Sequence, residues 1–394
     1  MVTTTATTRQ VRGAQFSVAA VFFAHGLLVA SWAAHIPHVK SRLEIGNGTL
    51  GLALLGMPIG SVVAIGLAAY FVPRFGSRRV VQIALLGYCV AGPFVGLAGS
   101  VAALFAALLF WGGFQGTLDI SMNTQAITVE GVRRRPLMNG MHASWSVGAF
   151  AGAGVGALSV AIGLGLSPQL LVLGTIVVAI VGWSTMSQLA DPPHDAAQAR
   201  ATRGERRISG AVLLLGAIAF ASMLCEGAAA DWSSVYLRDS LGGNKASSGL
   251  AYAGFAAAMV LVRFFGNRLL ERFPAHVLLP ALAGATSVGF AVALLIDAVP
   301  AGIAAFFLLG LGVGSVVPTA FSAAGRLPGL HPGVGVAAVS GLGWAGFVLG
   351  PPLIGQLAEA MSLPAALAVV PVLTAVIAVG TRWVKALRAP MPLP

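Results

Sequence analysis

Charge is what this sequence has least of. Asp, Glu, Lys and Arg make up 9% of its 394 residues, whereas an ordinary soluble domain carries about a quarter, so water is not the main solvent of this chain. Cysteine is nearly absent as well. Cys89 and Cys225 fall inside apolar runs and read as small buried packing residues; no disulfide framework or metal site is implied. Strict alternation of apolar and polar residues is also missing, which argues against membrane β-strands and for helices. No nucleophile with its base, and no His and carboxylate set, is gathered near one membrane face, so an integral-membrane enzyme is the weaker reading.

What is present in quantity is hydrophobic length. Apolar residues reach 57% of the chain and fall in runs of about 20, each long enough as a helix to cross a hydrocarbon core of roughly 30 Å. Twelve runs can be drawn, at 15–36, 48–71, 80–98, 101–127, 139–163, 168–188, 209–235, 247–267, 276–297, 301–323, 333–357 and 364–384. The sequence predicts an all-α membrane protein with 12 transmembrane helices, its partner surface the lipid bilayer. Arg9 and Arg12 precede the first run as in a signal peptide, but the run is too long and lacks a convincing cleavage site, so it reads as a retained span.

The net charge of +11 raises the question of nucleic acid, and its distribution answers it. An even span count puts both termini on one side. That side carries most of the basic residues, among them Arg9, Arg12, Arg74, Arg78, Arg79, Arg133, Arg206, Arg207, Arg268, Arg272 and Arg382, while the opposite loops hold Lys40, Arg42, Arg238 and Lys245. Such a bias is a topology signal that places both termini in the cytoplasm, and no nucleic-acid partner is expected.

The sequence repeats itself. A shift of 198 residues places Gly51 on Gly249, Gly56 on Gly254, Gly112 on Gly310, Gly116 on Gly314, Gly148 on Gly346 and Gly152 on Gly350, and Arg74-Phe75 on Arg272-Phe273. Six spans separate the copies, so both have one orientation, a parallel repeat. The expected organisation is an N-terminal six-helix bundle at 1–190, a cytoplasmic linker at 191–208 and a C-terminal bundle at 209–394. Glycines at spacing four, Gly148, Gly152 and Gly156, mark faces where helices meet closely, since association in lipid rests on the packing of small residues. Gly310-Leu-Gly312-Val-Gly314 lies in an apolar run with no strand before it, and no cofactor is expected.

Ionisable groups within a span cost at least about 2.5 kcal/mol at its centre, so each one calls for an explanation. Asp119 lies in span 4, with Asn123 one turn on and Gln115 one turn back, all on one helix face. That face reads either as the lining of a water-filled cavity or as an interhelical hydrogen-bonded cluster. Glu226 is mid-span in span 7, with Asp231 and Trp232 further along. Acids at membrane depth are candidates to gain and lose a proton, which makes Asp119 the first choice of proton carrier and Glu226 the second. Arg263 in span 8 reads as an ion-pair partner or a snorkelling residue. His25, His142 and Trp145 are candidate substrate contacts or packing residues, with Asn123, Gln115, Asp231 and Trp232 also in the substrate set.

The two-halved plan, the basic loop between spans 2 and 3 and these polar spans resemble the major facilitator superfamily along the whole chain. Gly116-Thr-Leu-Asp-Ile-Ser-Met-Asn123 looks like the fucose-permease-like branch, and Met138-Asn-Gly-Met-His-Ala-Ser-Trp145 and Asp231-Trp-Ser-Ser-Val-Tyr-Leu237 look more like its YbjJ-type bacterial inner-membrane relatives. The resemblance implies that Asp119 is the coupling carboxylate and Asn123 a cavity residue. Arg74, Gly76, Arg78 and Arg79 keep the loop signature, but Pro73 stands where the family has Asp, and Gly266-Asn267-Arg268 again has Asn in place of Asp. Span 5 lacks the proline of the antiporter signature. The expected function is secondary transport by alternating access, with a small neutral, hydroxylated solute and protons as partners, in a monomer with no cofactor or metal. Efflux of amphipathic compounds and a receptor on the same fold remain the alternatives.

Overall fold

The first helix starts at Thr8, earlier than apolarity alone would put it, because Thr7 and Gln10 cap each other's backbone in a capping box. The computed structural model describes residues 7–133, 137–191, 209–325, 327 and 332–384. Of the expected linker, only Asp191 lies among them.

Span 1 is Thr8–Trp32, continued through a 3-10 turn, Ala33–His35, into Ile36–Arg42. Span 2 is Asn47–Leu54 followed by Gly56–Phe75. Spans 3 to 6 are Ser77–Leu97, Val101–Arg133, Met138–Ala161 and Leu166–Val177, the last prolonged by a π turn, Val178–Gly182. Span 7 is Gly210–Val235 and span 8 Leu250–Arg272. Span 9 is Ala275–Leu294, and span 10 runs in two pieces, Val299–Val313 and Val316–Ala324. Span 11 is Pro332–Ala360, and span 12 is Leu363–Leu367 with Val369–Trp383. Among the described residues 11 helices are long and apolar enough to cross a membrane, and span 8 adds the shorter apolar stretch Leu250–Phe265. No strand occurs among them.

The chain forms two compact units, Met1–His35 with Ala53–His194, and Ile36–Leu52 with Asp195–Pro394. In the first, span 1 packs on span 5, span 2 on span 4, and span 3 on spans 4 and 6. In the second, span 7 packs on span 11, span 8 on span 10, and span 9 on spans 10 and 12. The second list is the first displaced by six spans. The equivalence reaches single residues: a Cβ at Gly112 would strike the Met57 carbonyl, and one at Gly310 that of Phe255, partners that are themselves 198 residues apart.

Glycine makes these contacts possible. A Cβ at Gly148, Gly152 or Gly156 would run into the carbonyls of Phe23, Leu27 and Ser31 on span 1, so span 5 lies on span 1 backbone to backbone. The second unit includes the hairpin 36–52, which is held in the same way: Gly51 meets the Pro351 carbonyl and Gly355 that of Asn47. Around that contact Glu359 accepts from the Gly48 N–H at 3.1 Å, and Lys40 pairs with Asp239 at 2.6 Å. Partly exposed ion pairs contribute at most about 1 kcal/mol, so the glycine contact is the firmer part of the seam.

Gly152→Ala is expected to destabilise the protein by about 1–3 kcal/mol through overpacking and to lower its melting temperature in detergent. Gly154→Ala on the same helix, where nothing lies within 4 Å of the added carbon, is the control and is expected to leave the melting temperature unchanged or slightly raised.

Candidate functional site

Each unit holds its own cluster of polar side chains at membrane depth. In the first unit the close approach of spans 2 and 4 at Gly112 and Gly116 brings the Ser61 hydroxyl onto span 4, within 3.0 Å of the Gly112 carbonyl and 3.1 Å of Gln115 Oε1. One turn on, the Asn123 amide donates to the Asp119 carbonyl at 2.8 Å and to its carboxylate Oδ1 at 3.3 Å. Asp119 is half-buried, and among the described residues no ion pair involves it. Gln115, Asp119 and Asn123 thus share a face, as the sequence predicts.

An aromatic column stands beside this face. Trp145 Nε1 on span 5 donates to His25 Nδ1 on span 1 at 2.7 Å. The His25 ring stacks on Tyr88 of span 3, with centroids 5.6 Å apart. Tyr88 stacks in turn on Trp111 of span 4 at 5.3 Å, and the Trp111 indole donates to the Tyr88 carbonyl at 3.0 Å. His142 is exposed and lies edge-on to Phe22 at 5.4 Å. Tyr88, Trp111 and Ser61 escape the sequence reading; the glycine spacing that lays span 4 on span 2 is the signal that points to Ser61.

In the second unit, Arg263 Nη2 stands 3.8 Å from Glu226 Oε2, and the Ser222 hydroxyl is 3.4 Å from Glu226 Oε1. Arg263 is therefore an ion-pair partner. Tyr252, which sequence reasoning does not single out, lies within electrostatic reach of Asp231, Glu226 and Arg263. Asp231 is half-buried, and no ion pair involves it among the described residues. Trp232 is fully buried, and its indole N–H has no hydrogen-bond partner among the described residues.

At the loop between spans 2 and 3, Gly76 has φ +81°, a backbone state suited to glycine. Arg74 donates to the Tyr70 hydroxyl at 3.1 Å and lies over its ring at 5.8 Å; Arg78 is half-buried and Arg79 exposed. The acid missing at Pro73 has a counterpart from elsewhere. The Asp191 carboxylate, beyond span 6, accepts from the Ser77 backbone N–H, from the Ser77 hydroxyl at 2.6 Å and from the Thr128 hydroxyl at 3.1 Å. It thereby caps span 3 at its positive end. Gln125 ties the same Ser77 hydroxyl, at 2.7 Å, to the Leu189 carbonyl at 2.8 Å. The side chains of Asn267 and Arg268 lie outside the described residues.

Arg263→Gln leaves Glu226 without its counter-charge and is expected to destabilise the fold by roughly 3 kcal/mol. Adding Glu226→Gln should restore much of that loss in a double-mutant cycle read by thermal unfolding. Asp191→Ala should cost about 1 kcal/mol through the lost cap, and Asp191→Asn less, by the same measurement.

Comparison with known proteins agrees with this architecture. The family model of the Major Facilitator Superfamily matches residues 15–331 and 212–394. The chain is 33% identical to an uncharacterized MFS-type transporter of Yersinia pestis, over 94% of this chain and 95% of the relative. It is 32% identical to Membrane protein MosC of Rhizobium meliloti, over 96% and 92%. Among solved structures it resembles a D-xylose-proton symporter, with TM-score 0.74 and 14% identity over 94% of this chain and 99% of that one. It also resembles FucP in the outward conformation, with TM-score 0.61 and 16% identity over 94% and 98%. At such identities the structures show the fold alone. The family match covers the chain and the relatives align along nearly their whole length: this protein belongs to the Major Facilitator Superfamily of membrane transporters.

Proposed function

We propose that this transporter takes up a small, neutral, hydroxylated solute together with protons, by alternating access, and that Asp119 is the proton carrier. The observation that carries the reading is the contrast between the two intramembrane acids. Glu226 has a guanidinium beside it at 3.8 Å, whereas Asp119 has the Asn123 amide and no cation among the described residues. A carboxylate whose charge nothing offsets is the one that taking up a proton relieves. Gln115, Asn123 and Ser61 supply amide and hydroxyl groups suited to sugar-like oxygens. One structural neighbour is, by its title, a D-xylose-proton symporter, which supports a sugar-like solute and proton coupling. The excess of Arg and Lys on the side of the termini supports an inner-membrane protein with both ends in the cytoplasm, acting as a monomer.

Asp119→Asn is expected to abolish solute accumulation driven by a pH gradient in proteoliposomes while leaving solute exchange without a gradient largely intact. Accumulation that survives the substitution removes Asp119 from the role. Solute extrusion under the same gradient would instead favour an efflux antiporter.

A further inference from the structure

Span 7 carries two acids, Glu226 and Asp231, and the structure surrounds them differently. Five residues apart, they lie about 140° round the helix from each other, so the cation beside one is not placed beside the other. Glu226 points to span 8, where Arg263 stands 3.8 Å away, and the Ser222 hydroxyl one turn back is 3.4 Å from it. Asp231 lies one turn on from Gly227, where an added Cβ would meet the Phe347 ring of span 11 at 3.2 Å. Its side of the helix is therefore the side of span 11, which holds no ionisable residue before Glu359.

The same stretch shows where water reaches span 7. Across 222–237 every residue is buried except Glu226, Ala230 and Asp231, so the strip left partly open is the one that carries both acids. A strip turned to acyl chains would be apolar, because ionisable groups at membrane depth are costly and face the bundle interior or water.

The elements packed against span 7 bring Asp231 no counter-charge. Span 8 brings Tyr252, within electrostatic reach, and Arg263, which is engaged with Glu226; its remaining charges, from Arg268 on, lie at its far end. Span 10 has no ionisable group, span 11 only Glu359, bonded to the Gly48 N–H, and span 12 only Arg382, in its last turn. The short helix Ile36–Arg42 brings His38, Lys40 and Arg42, and the turn Tyr236–Ser240 brings Tyr236, Arg238 and Asp239. Lys40 and Arg238 both pair with Asp239, and Lys245 is exposed. Among the described residues no ion pair involves Asp231.

We propose that Asp231 is a proton-binding carboxyl of the second unit, and that Glu226 stays ionised as the standing partner of Arg263. A guanidinium keeps its charge throughout, so protonating Glu226 would leave Arg263 unpaired. Asp231 has no such partner, and a proton taken from water onto one carboxylate oxygen removes its charge. Each unit then holds one such carboxyl, Asp119 in the first and Asp231 in the second, and the preference for Glu226 expected from sequence is reversed. The proton coupling proposed above gives Asp231 its use in transport, but its protonation is measured without any solute.

Infrared difference spectra of the purified protein, taken as alkaline buffer is exchanged for mildly acidic buffer, read the C=O band of each carboxyl that gains a proton. Asp231→Asn should remove one such band and Glu226→Gln none. Arg263→Gln should add a band, which Glu226→Gln on the same background should remove. A spectrum unchanged in Asp231→Asn overturns the inference, and so does a band lost in Glu226→Gln alone. Asp119→Asn should also remove a band; if it does not, the role of Asp119 falls while that of Asp231 stands on its own variant. Should Asp231→Asn not fold, Asp231→Glu decides, since it keeps the carboxyl in a shifted position: a displaced band upholds the inference, and an unchanged spectrum overturns it.

Discussion

Backbone-to-backbone contact between helices, available only where glycine removes the side chain, is the constraint on which the rest of this structure depends. Lipid offers no hydrophobic force to draw apolar helices together, so dispersion contact at short range has to do it. Gly148, Gly152 and Gly156 lay span 5 on the carbonyls of Phe23, Leu27 and Ser31, and that spacing fixes register as well as distance. Register is what matters chemically. With span 5 slid by one residue, the Trp145 indole would no longer meet His25 Nδ1, and with span 4 displaced along span 2, Ser61 would lose Gln115.

The two units share this scaffold and differ in what it carries. Spans 2 and 4 meet through Gly112 and Met57 as spans 8 and 10 meet through Gly310 and Phe255. The scaffold's polar contents are not repeated. In the first unit an acid with no ion pair among the described residues stands next to an aromatic column. In the second an acid is paired with Arg263, and Tyr252 lies within electrostatic reach of both. Packing positions tolerate little change because a single methyl group would collide with backbone, whereas polar positions can be exchanged as long as their burial is compensated. Duplicated helices can therefore keep their contacts while their chemistry diverges.

Much of this is legible in the sequence, for physical reasons that also set the limit. The spans are readable because a bilayer imposes length and apolarity on each helix separately, and the repeat because glycine cannot be substituted at the contacts. Gln115, Asp119 and Asn123 are readable as one face because helix geometry alone puts them there. The pairing of Glu226 with Arg263 is half-legible, since a lone cation in a span implies a partner without naming it. The column of His25, Tyr88, Trp111 and Trp145 is not legible, because it draws one residue from each of four spans and depends on their mutual register. Nor does sequence order indicate that 36–52 belongs with the second unit, since its glycine contacts, Gly51 with Pro351 and Asn47 with Gly355, each join residues some 300 positions apart.

The end of span 6 shows how a motif can be broken while the physical requirement behind it is met. Read as a pattern, Pro73 in place of Asp leaves the loop between spans 2 and 3 without its acid. Read as a helix terminus, the need is for an anion near the unpaired N–H groups at the start of span 3, which carry the positive end of the helix dipole. Asp191 supplies it through Ser77 and draws in Thr128 as well. Gly76 serves the turn through its backbone state, φ +81°, rather than by clearing space, since a Cβ there would stand 3.7 Å from Asp191 Oδ2, in ordinary contact. A carboxylate drawn from beyond span 6 fastens spans 3, 4 and 6 together at one point, which an acid at position 73, only four residues before the start of span 3, would not do. Gln125, bonded to both Ser77 and the Leu189 carbonyl, reinforces the same junction, so the substitution at Pro73 relocates an anchor from the loop to the place where the linker leaves the bundle.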